Sequence, residues 1–248
     1  AWALRAGDAV AAARRNGRSP NVLEALRGAL ADRLVLARLR RLLGGEVRFM
    51  VSGSAPFPRW LLERFHAMGL LVLEAYGLSE NVVPIAINRV DDYAFGSVGR
   101  VVAGNTVRIG DDGEVLVRGD GVFAGYLGAP GIDSPLDAAG WLHTGDLGAF
   151  DADGRLHLTG RKSEVFKTST GRKIAPTAVE ARLKQIAGLD HVVVFGAARK
   201  AIVALATPAL EVLDELRDDA SWRAWARTIA ERVARRDDVG GLAVDALK

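Results

Sequence analysis

The sequence has 248 residues and not one cysteine. Disulfides, zinc–thiolate sites and thiol nucleophiles are thereby excluded, and a reducing compartment fits without being required. No apolar run approaches the ~18 residues of a membrane span. The opening AWALRAGDAVAAARRNGRS does not read as a signal peptide. Its start at Ala1 rather than Met leads us to expect a piece of something longer. Neither sign of charge dominates: 33 Lys and Arg stand against 30 Asp and Glu. No zinc finger or aromatic RNA-binding box accompanies the arginines, so a nucleic-acid partner is not expected. Walker A and G-x-S-x-G patterns are both missing. GDGVFA (Gly119 to Ala124) fits G-x-G-x-x-G/A after a strand, but GYLGAPG follows it instead of a helix. The helix start that would bind a pyrophosphate is therefore lacking.

What is present is a large apolar fraction, 49%, and 28 glycines. The first supports a proper core and the second many turns. The chain is long enough for one large domain or two smaller ones. RLVLARLRRLLGG (Arg33 to Gly45) reads as a basic amphipathic helix ending near Gly44. A solvated face explains its arginines better than a membrane surface does. We expect a cytoplasmic protein with at most peripheral membrane association.

VRFMVSG (Val47 to Gly53) reads as a buried strand and FPRWLLERFHAMG (Phe57 to Gly69) as a helix with Pro58 in its first turn. LLVLEAYG is the next strand. This order predicts an α/β fold with a parallel sheet. From about Gly96 the pattern changes to short alternating runs. VRIGDDGEVLVRG turns at Asp111–Gly113 and LGAFDADGRLHLTGR at Asp151–Gly154, which predicts two hairpins of a small antiparallel, barrel-like sheet. Beyond Arg161 come a helix over Pro176–Ile186, strands HVVVFG and AIVALATP, and a helix with Trp222, Trp225, Ile229 and Val233 on one face. These form a plausible separate α+β lid.

Three loops carry candidate chemistry. SGSAP (Ser52 to Pro56) and YGLSE (Tyr76 to Glu80) leave strands where ligands bind open parallel sheets. Tyr76 offers a ring, Ser79 a hydroxyl and Glu80 a hard oxygen suited to Mg²⁺. An ordinary strand exit with a surface glutamate explains YGLSE better when it is read alone. In GWLHTGDLG, Asp146 between two glycines can accept from the paired hydroxyls of a ribose, or it can cap a turn. His143 reads as structural, with no obvious partner. GRKSEVFKTSTGRKIAP gathers Arg161, Lys162, Lys167, Arg172 and Lys173 around Thr168–Gly171. That loop suits phosphate or developing negative charge, or it is a solvated linker.

The order of SGSAP, YGLSE, GSVG (Gly96 to Gly99), GEVLVRGDGVFAGY, GWLHTGDLG and GRKSEVFKTSTGRKIAP resembles the successive motifs of the adenylate-forming enzymes. It looks most like the long-chain fatty-acid–CoA ligases, over about Val47 to Ile202. The resemblance implies ATP-dependent activation of a fatty acid through acyl-AMP to acyl-CoA, using ATP, Mg²⁺ and CoA. Tyr76 with Gly77 would meet adenine, and Ser79 the α-phosphate. Glu80 would help hold Mg²⁺. Asp146 and Arg161 would bind the ribose, and Gly53, Ser54 and Ala55 would line the adenine and acyl pocket. Lys167 joins Ser79 and Glu80 as a catalytic candidate. Residues 1–160 would be half of the large AMP-binding domain (sheet about 1–95, barrel-like part about 96–160). Residues 161–248 would be a mobile lid, expected to be truncated.

The chain departs from the family in three ways. The phosphate loop of type TSGTTGxPK is missing. A lysine-bearing segment near the C-terminus is not recognisable, and Lys248 lacks its surroundings. Ser163 stands at a hinge position often filled by Lys or Asp. The expectation is thus a fragment or split part that works with a missing N-terminal half or companion subunit. A non-catalytic AMP- or acyl-AMP-binding module, or a ligase that hands acyl to a carrier protein, is the alternative.

Overall fold

The structure is a computed structural model that describes residues 2–82, 84–127 and 134–234. Lys248 lies outside them. Contacts divide the chain into two units, one of Ala1–Thr144 with Gly148–Leu158 and one of Gly145–Leu147 with Thr159–Lys248.

The first unit opens with α1 (Trp2–Arg15) and α2 (Val22–Ala31), followed by a π-helical stretch, Asp32–Leu36, and α3 (Ala37–Leu42). A capping box starts α2: Asn21 Oδ1 accepts the Glu24 N–H and the Glu24 carboxylate accepts the Asn21 N–H, both at 2.8 Å. Arg18 donates twice to the same carboxylate and, as the largest cause, holds its pKa down to about 2. The helix expected to end near Gly44 does so, with Gly44 and Gly45 at φ +86° and +80°. Small residues allow the helices to approach closely. A Cβ on Gly7 would fall 2.2 Å from the Ala67 carbonyl oxygen, and one on Gly28 2.6 Å from Val10.

The chain then forms β1 (Met50–Ser52), α4 (Arg59–Ala67) and β2 (Val72–Tyr76). β1 and β2 are parallel, with Ser52 beside Glu74, as the strand–helix–strand order predicts. Pro58 is the residue that caps α4 rather than one within its first turn. Two further strands, β3 (Ala86–Ile87) and β4 (Arg100–Val101), extend the sheet in the order β1-β2-β3-β4, both antiparallel. The sheet is therefore mixed rather than purely parallel. The described residues between Gly77 and Ile85 include no crossover helix, and a short return of this kind can pair only antiparallel.

β5 (Asn105–Ile109), β6 (Glu114–Gly119), β7 (Leu142–Phe150) and β8 (Leu156–Arg161) make the curled antiparallel sheet in that order. The expected turns are in place: the Gly110 N–H reaches the Glu114 carbonyl at 2.8 Å and the Asp151 N–H the Arg155 carbonyl at 2.9 Å. Val115, Val117, Leu142 and Leu156 are at most 1% exposed. Each such side chain contributes about 1.5–3 kcal/mol by leaving water. His143, expected without a partner, lies 3.0 Å from the carboxylate of Glu114, which is itself buried.

The second unit continues with β9 (Phe166–Lys167), β10 (Lys173–Ile174), α5 (Pro176–Leu183), β11 (Leu189–Phe195), β12 (Val203–Pro208), α6 (Leu210–Leu213) and α7 (Asp219–Ala234). β9 pairs with β10 and β11 with β12, both antiparallel. Its core joins Leu183, Val192, Val194 and Ile229, with Trp225 and Val233 packed against them. Trp222 departs from the expected face. It is 41% exposed and meets Trp225 edge-on at 5.9 Å, outside the cluster that Trp225 packs against. No described helix is long and apolar enough to cross a membrane.

Candidate functional site

The parallel register fixes the starting points of two loops. Ser52, the last residue of β1, pairs with Glu74, two residues before the end of β2. SGSAP and YGLSE therefore leave the sheet side by side, at the edge where open α/β sheets bind ligands. A Cβ on Gly53 would come within 3.2 Å of the Ala75 carbonyl oxygen, so the first loop runs close over the end of β2. Gly53, Ser54 and Ala55 are all exposed. Ser54 has φ +66°, a left-handed conformation uncommon for a residue with a Cβ.

Tyr76 ends β2 with only 6% of its surface open, in the cluster that holds Ile85, Val98 and Leu142. Little of its ring is open to a base. Gly77 and Ser79 are exposed. Glu80 is held in place, since the Tyr126 hydroxyl donates to its carboxylate at 2.7 Å and its carbonyl accepts the Phe123 N–H at 2.9 Å. Phe123 and Tyr126 pack edge to face at 4.9 Å. The Glu80 carboxylate pushes the Tyr126 phenol above its ordinary pKa. Tyr126 is a site residue the sequence did not disclose. It sits in GDGVFAGY, whose glycines invited a dinucleotide reading; no helix follows the motif in the described residues up to Leu127.

No group of three or more His, Cys, Asp or Glu residues able to hold a metal occurs among the described residues. One accessible carboxylate nevertheless fits Mg²⁺, which is commonly held by one or two carboxylates together with substrate phosphates and water.

In the second unit Asp146 is 5% exposed, and Arg161 Nε donates to its Oδ1 at 2.8 Å. A left-handed Gly145 (φ +71°) precedes it, and the Gly145 carbonyl accepts the Lys162 N–H at 2.7 Å. The pair offers acceptor and donor together, the complement of vicinal hydroxyls. Lys167 on β9 stands directly opposite Lys173 on β10, both exposed. Like charges facing across strands repel, and an anion between them would relieve this. Buried Thr168 shapes the tip between them: its hydroxyl meets that of Thr170 at 2.8 Å and accepts the Arg172 N–H at 3.1 Å.

Two family matches follow this division. The AMP-binding enzyme family matches residues 18–127, and the AMP-binding enzyme C-terminal domain matches residues 164–242. The chain belongs to the AMP-binding enzyme family. It is 43% identical over 188 residues to long-chain-fatty-acid–CoA ligase FadD15 of Mycobacterium bovis, covering 76% of this chain and 31% of that protein. It is 38% identical over 167 residues to long-chain-fatty-acid–CoA ligase 5 of Rattus norvegicus, covering 62% of this chain and 24% of that one. Among solved structures, the anthranilate CoA ligase AuaEII in complex with anthranoyl-AMP matches with TM-score 0.61 and 26% identity, over 74% of this chain and 38% of that one. The o-succinylbenzoate CoA synthetase of Bacillus subtilis with its acyl-adenylate matches with TM-score 0.59 and 26% identity, over 76% and 43%. The chain thus spans about a quarter to a third of the length of the curated relatives it matches.

Proposed function

We propose that this chain supplies the adenylate-contacting part of a long-chain fatty-acid–CoA ligase. The observation that carries the reading is the parallel pairing of β1 with β2, which brings SGSAP and YGLSE together at the sheet's carboxyl edge. In this reading Tyr76 and Gly77 take the adenine and Gly53–Ala55 line its pocket. Ser79 contacts the α-phosphate, and Asp146 with Arg161 takes the ribose hydroxyls. A fatty carboxylate attacks the α-phosphorus of ATP, forming acyl-AMP and releasing pyrophosphate; the CoA thiol then takes the acyl group and AMP leaves. Mg²⁺, when bound at Glu80, supplies charge neutralisation on the phosphates. Lys167 adds a cation to the same task. No protein nucleophile is needed, which agrees with a chain that has no cysteine.

The remainder of the fold is assigned to a companion segment or subunit. Val22 and Leu26 on α2, and Phe49 and Val51 at β1, are 78%, 64%, 45% and 52% exposed, apolar side chains that a further part of the family's large domain would cover. Residues 161–248 act as a lid that turns between the two half-reactions, with the protein cytoplasmic and at most peripherally bound to membrane. Binding without turnover is the second reading, favoured by the lack of TSGTTGxPK in the sequence.

Calorimetry with AMP and with a non-hydrolysable acyl-AMP analogue should show saturable binding. A pyrophosphate-release assay with ATP, palmitate and Mg²⁺ should show little turnover by the chain alone. Robust release would contradict the need for a companion, and no binding of either nucleotide would contradict the site. Limited proteolysis should cut first between Arg161 and Lys173, and AMP should slow that cut by engaging Arg161. First cleavage within Val107–Gly119 would contradict the lid.

A further inference from the structure

Glu74 takes no part in the reading above, yet its carboxylate lies where two loops meet. It sits on β2, two residues before Tyr76 and beside Ser52. Its Oε2 accepts the Gly96 N–H at 3.2 Å, and the Phe57 backbone N–H is the second group that favours its ionised form. Phe57 directly follows SGSAP, and Gly96 opens GSVG. One side chain therefore ties the backbone of both.

Each loop has a conformation that needs support. Ser54 is left-handed at φ +66°, a state that persists where surroundings over-determine it. Gly99 has φ +86°, and a Cβ there would fall 2.1 Å from the Ile87 carbonyl carbon. Beneath them Asn88, 3% exposed, completes the frame. Its Nδ2 donates to the Ser97 carbonyl at 2.5 Å and to the Glu74 carbonyl at 3.3 Å, and its Oδ1 accepts the Ala94 N–H at 3.1 Å. The ionised carboxyl offers both oxygens as acceptors, whereas the protonated acid gives one of them over to an O–H.

We propose that Glu74 is a positioning residue whose carboxylate pins SGSAP to GSVG through the Phe57 and Gly96 N–H groups and so fixes Gly53–Ala55 beside Tyr76. The consequence for ligand affinity rests on the nucleotide reading of these loops; the pinning does not.

Burial is the main influence on the carboxyl and pushes its pKa above the usual range, with the two N–H groups and His157 opposing. His157 on β8 contacts the Gly96 carbonyl at 3.0 Å and Asp151 at 3.0 Å. Arg59 at the start of α4 lies 4.0 Å, by its Cδ, from where a Gly96 Cβ would be. A carboxylate that burial disfavours is kept where two loops need an acceptor.

The test compares the chain with Glu74→Gln and Glu74→Ala by hydrogen exchange and by AMP calorimetry from pH 5 to 8. Exchange in peptides spanning 53–58 and 94–99 should rise about tenfold in Glu74→Ala and less in Glu74→Gln, with β7 peptides unchanged. AMP affinity should fall about tenfold in Glu74→Ala. Wild-type affinity should decline on acidification as Glu74 takes up a proton, and this step should vanish in Glu74→Ala. If Glu74→Ala does not fold, Glu74→Gln decides by the same readouts. Unchanged exchange in both loop peptides of a folded variant would overturn the pinning. If the wild-type chain takes up no AMP, the function reading fails, and the exchange data alone decide the role of Glu74.

Discussion

The curled sheet and the opening helices treat their apolar side chains in opposite ways. Inside the sheet, Val115, Val117 and Leu156 are all 0% exposed. On α2 the small residues face inward, with Gly28 against Val10 and Ala31 fully buried. Leu23, Leu26 and Leu30 point outward, 56%, 64% and 52% exposed. The sheet closes its core with its own residues. The helices close theirs mostly with alanine, joined by Leu36, and leave the leucines of α2 open. An element that turns its larger side chains to water is one that the rest of a fold, or a partner, is suited to cover.

Stability measurements can break this contrast. Leu156→Ala should cost about 2–5 kcal/mol in denaturant unfolding, through lost transfer energy and a cavity. Leu26→Ala should stay within about 0.5 kcal/mol, as an exposed substitution. Equal losses would show that α2 is buried in solution. Because α2 gains so little from burial, its termini matter more: Asn21→Ala should cost about 1 kcal/mol by removing the capping box.

A smaller effect distinguishes α1 and α4 from the sheet. Arg15 donates to His66 Nδ1 at 3.2 Å, which leaves Nε2 to donate to Tyr93 Oη at 3.3 Å. Burial, with Arg15 and Arg14 adding to it, holds His66 below its ordinary pKa, and Asp8 opposes weakly. The folded pKa is the lower one, so this contribution is present above the unfolded value near 6.5 and is lost as pH falls through the folded value. Asp92, bound by Arg100 and Arg155, is lowered instead from 3.8, so its loss comes at more acid pH. Stability should therefore show an early acid step that His66→Gln removes and a later one that it leaves. A single step unaffected by the variant would contradict the His66 account.

Period and turn chemistry were enough to read much of this fold. The hairpins at Asp111–Gly113 and Asp151–Gly154 announce themselves by Asp and Gly between alternating runs, and α4 between β1 and β2 by its change of period. The antiparallel strands β3 and β4 were not legible. Each is two residues long, too short for alternation to register. The π-helical stretch leaves no mark on an apolar–basic pattern. Of the site, the order of motifs made YGLSE and GWLHTGDLG stand out. Their partners are long-range facts: Tyr126 reaches Glu80 from 46 residues away and Gly96 reaches Glu74 from 22. No local pattern encodes such distances. Trp222 was misplaced because a helical face drawn on paper does not show where the core ends.

The central claim is that the chain holds a nucleotide through groups that include the Asp146–Arg161 pair. Calorimetric titration of AMP into the wild-type chain and into Asp146→Ala tests it most directly. A charge-assisted hydrogen bond is worth roughly 1.5–3 kcal/mol, so the variant should bind about tenfold more weakly or worse, with its thermal unfolding still cooperative. Unchanged AMP affinity in a folded Asp146→Ala chain would return Asp146 to a turn-forming role and contradict the account.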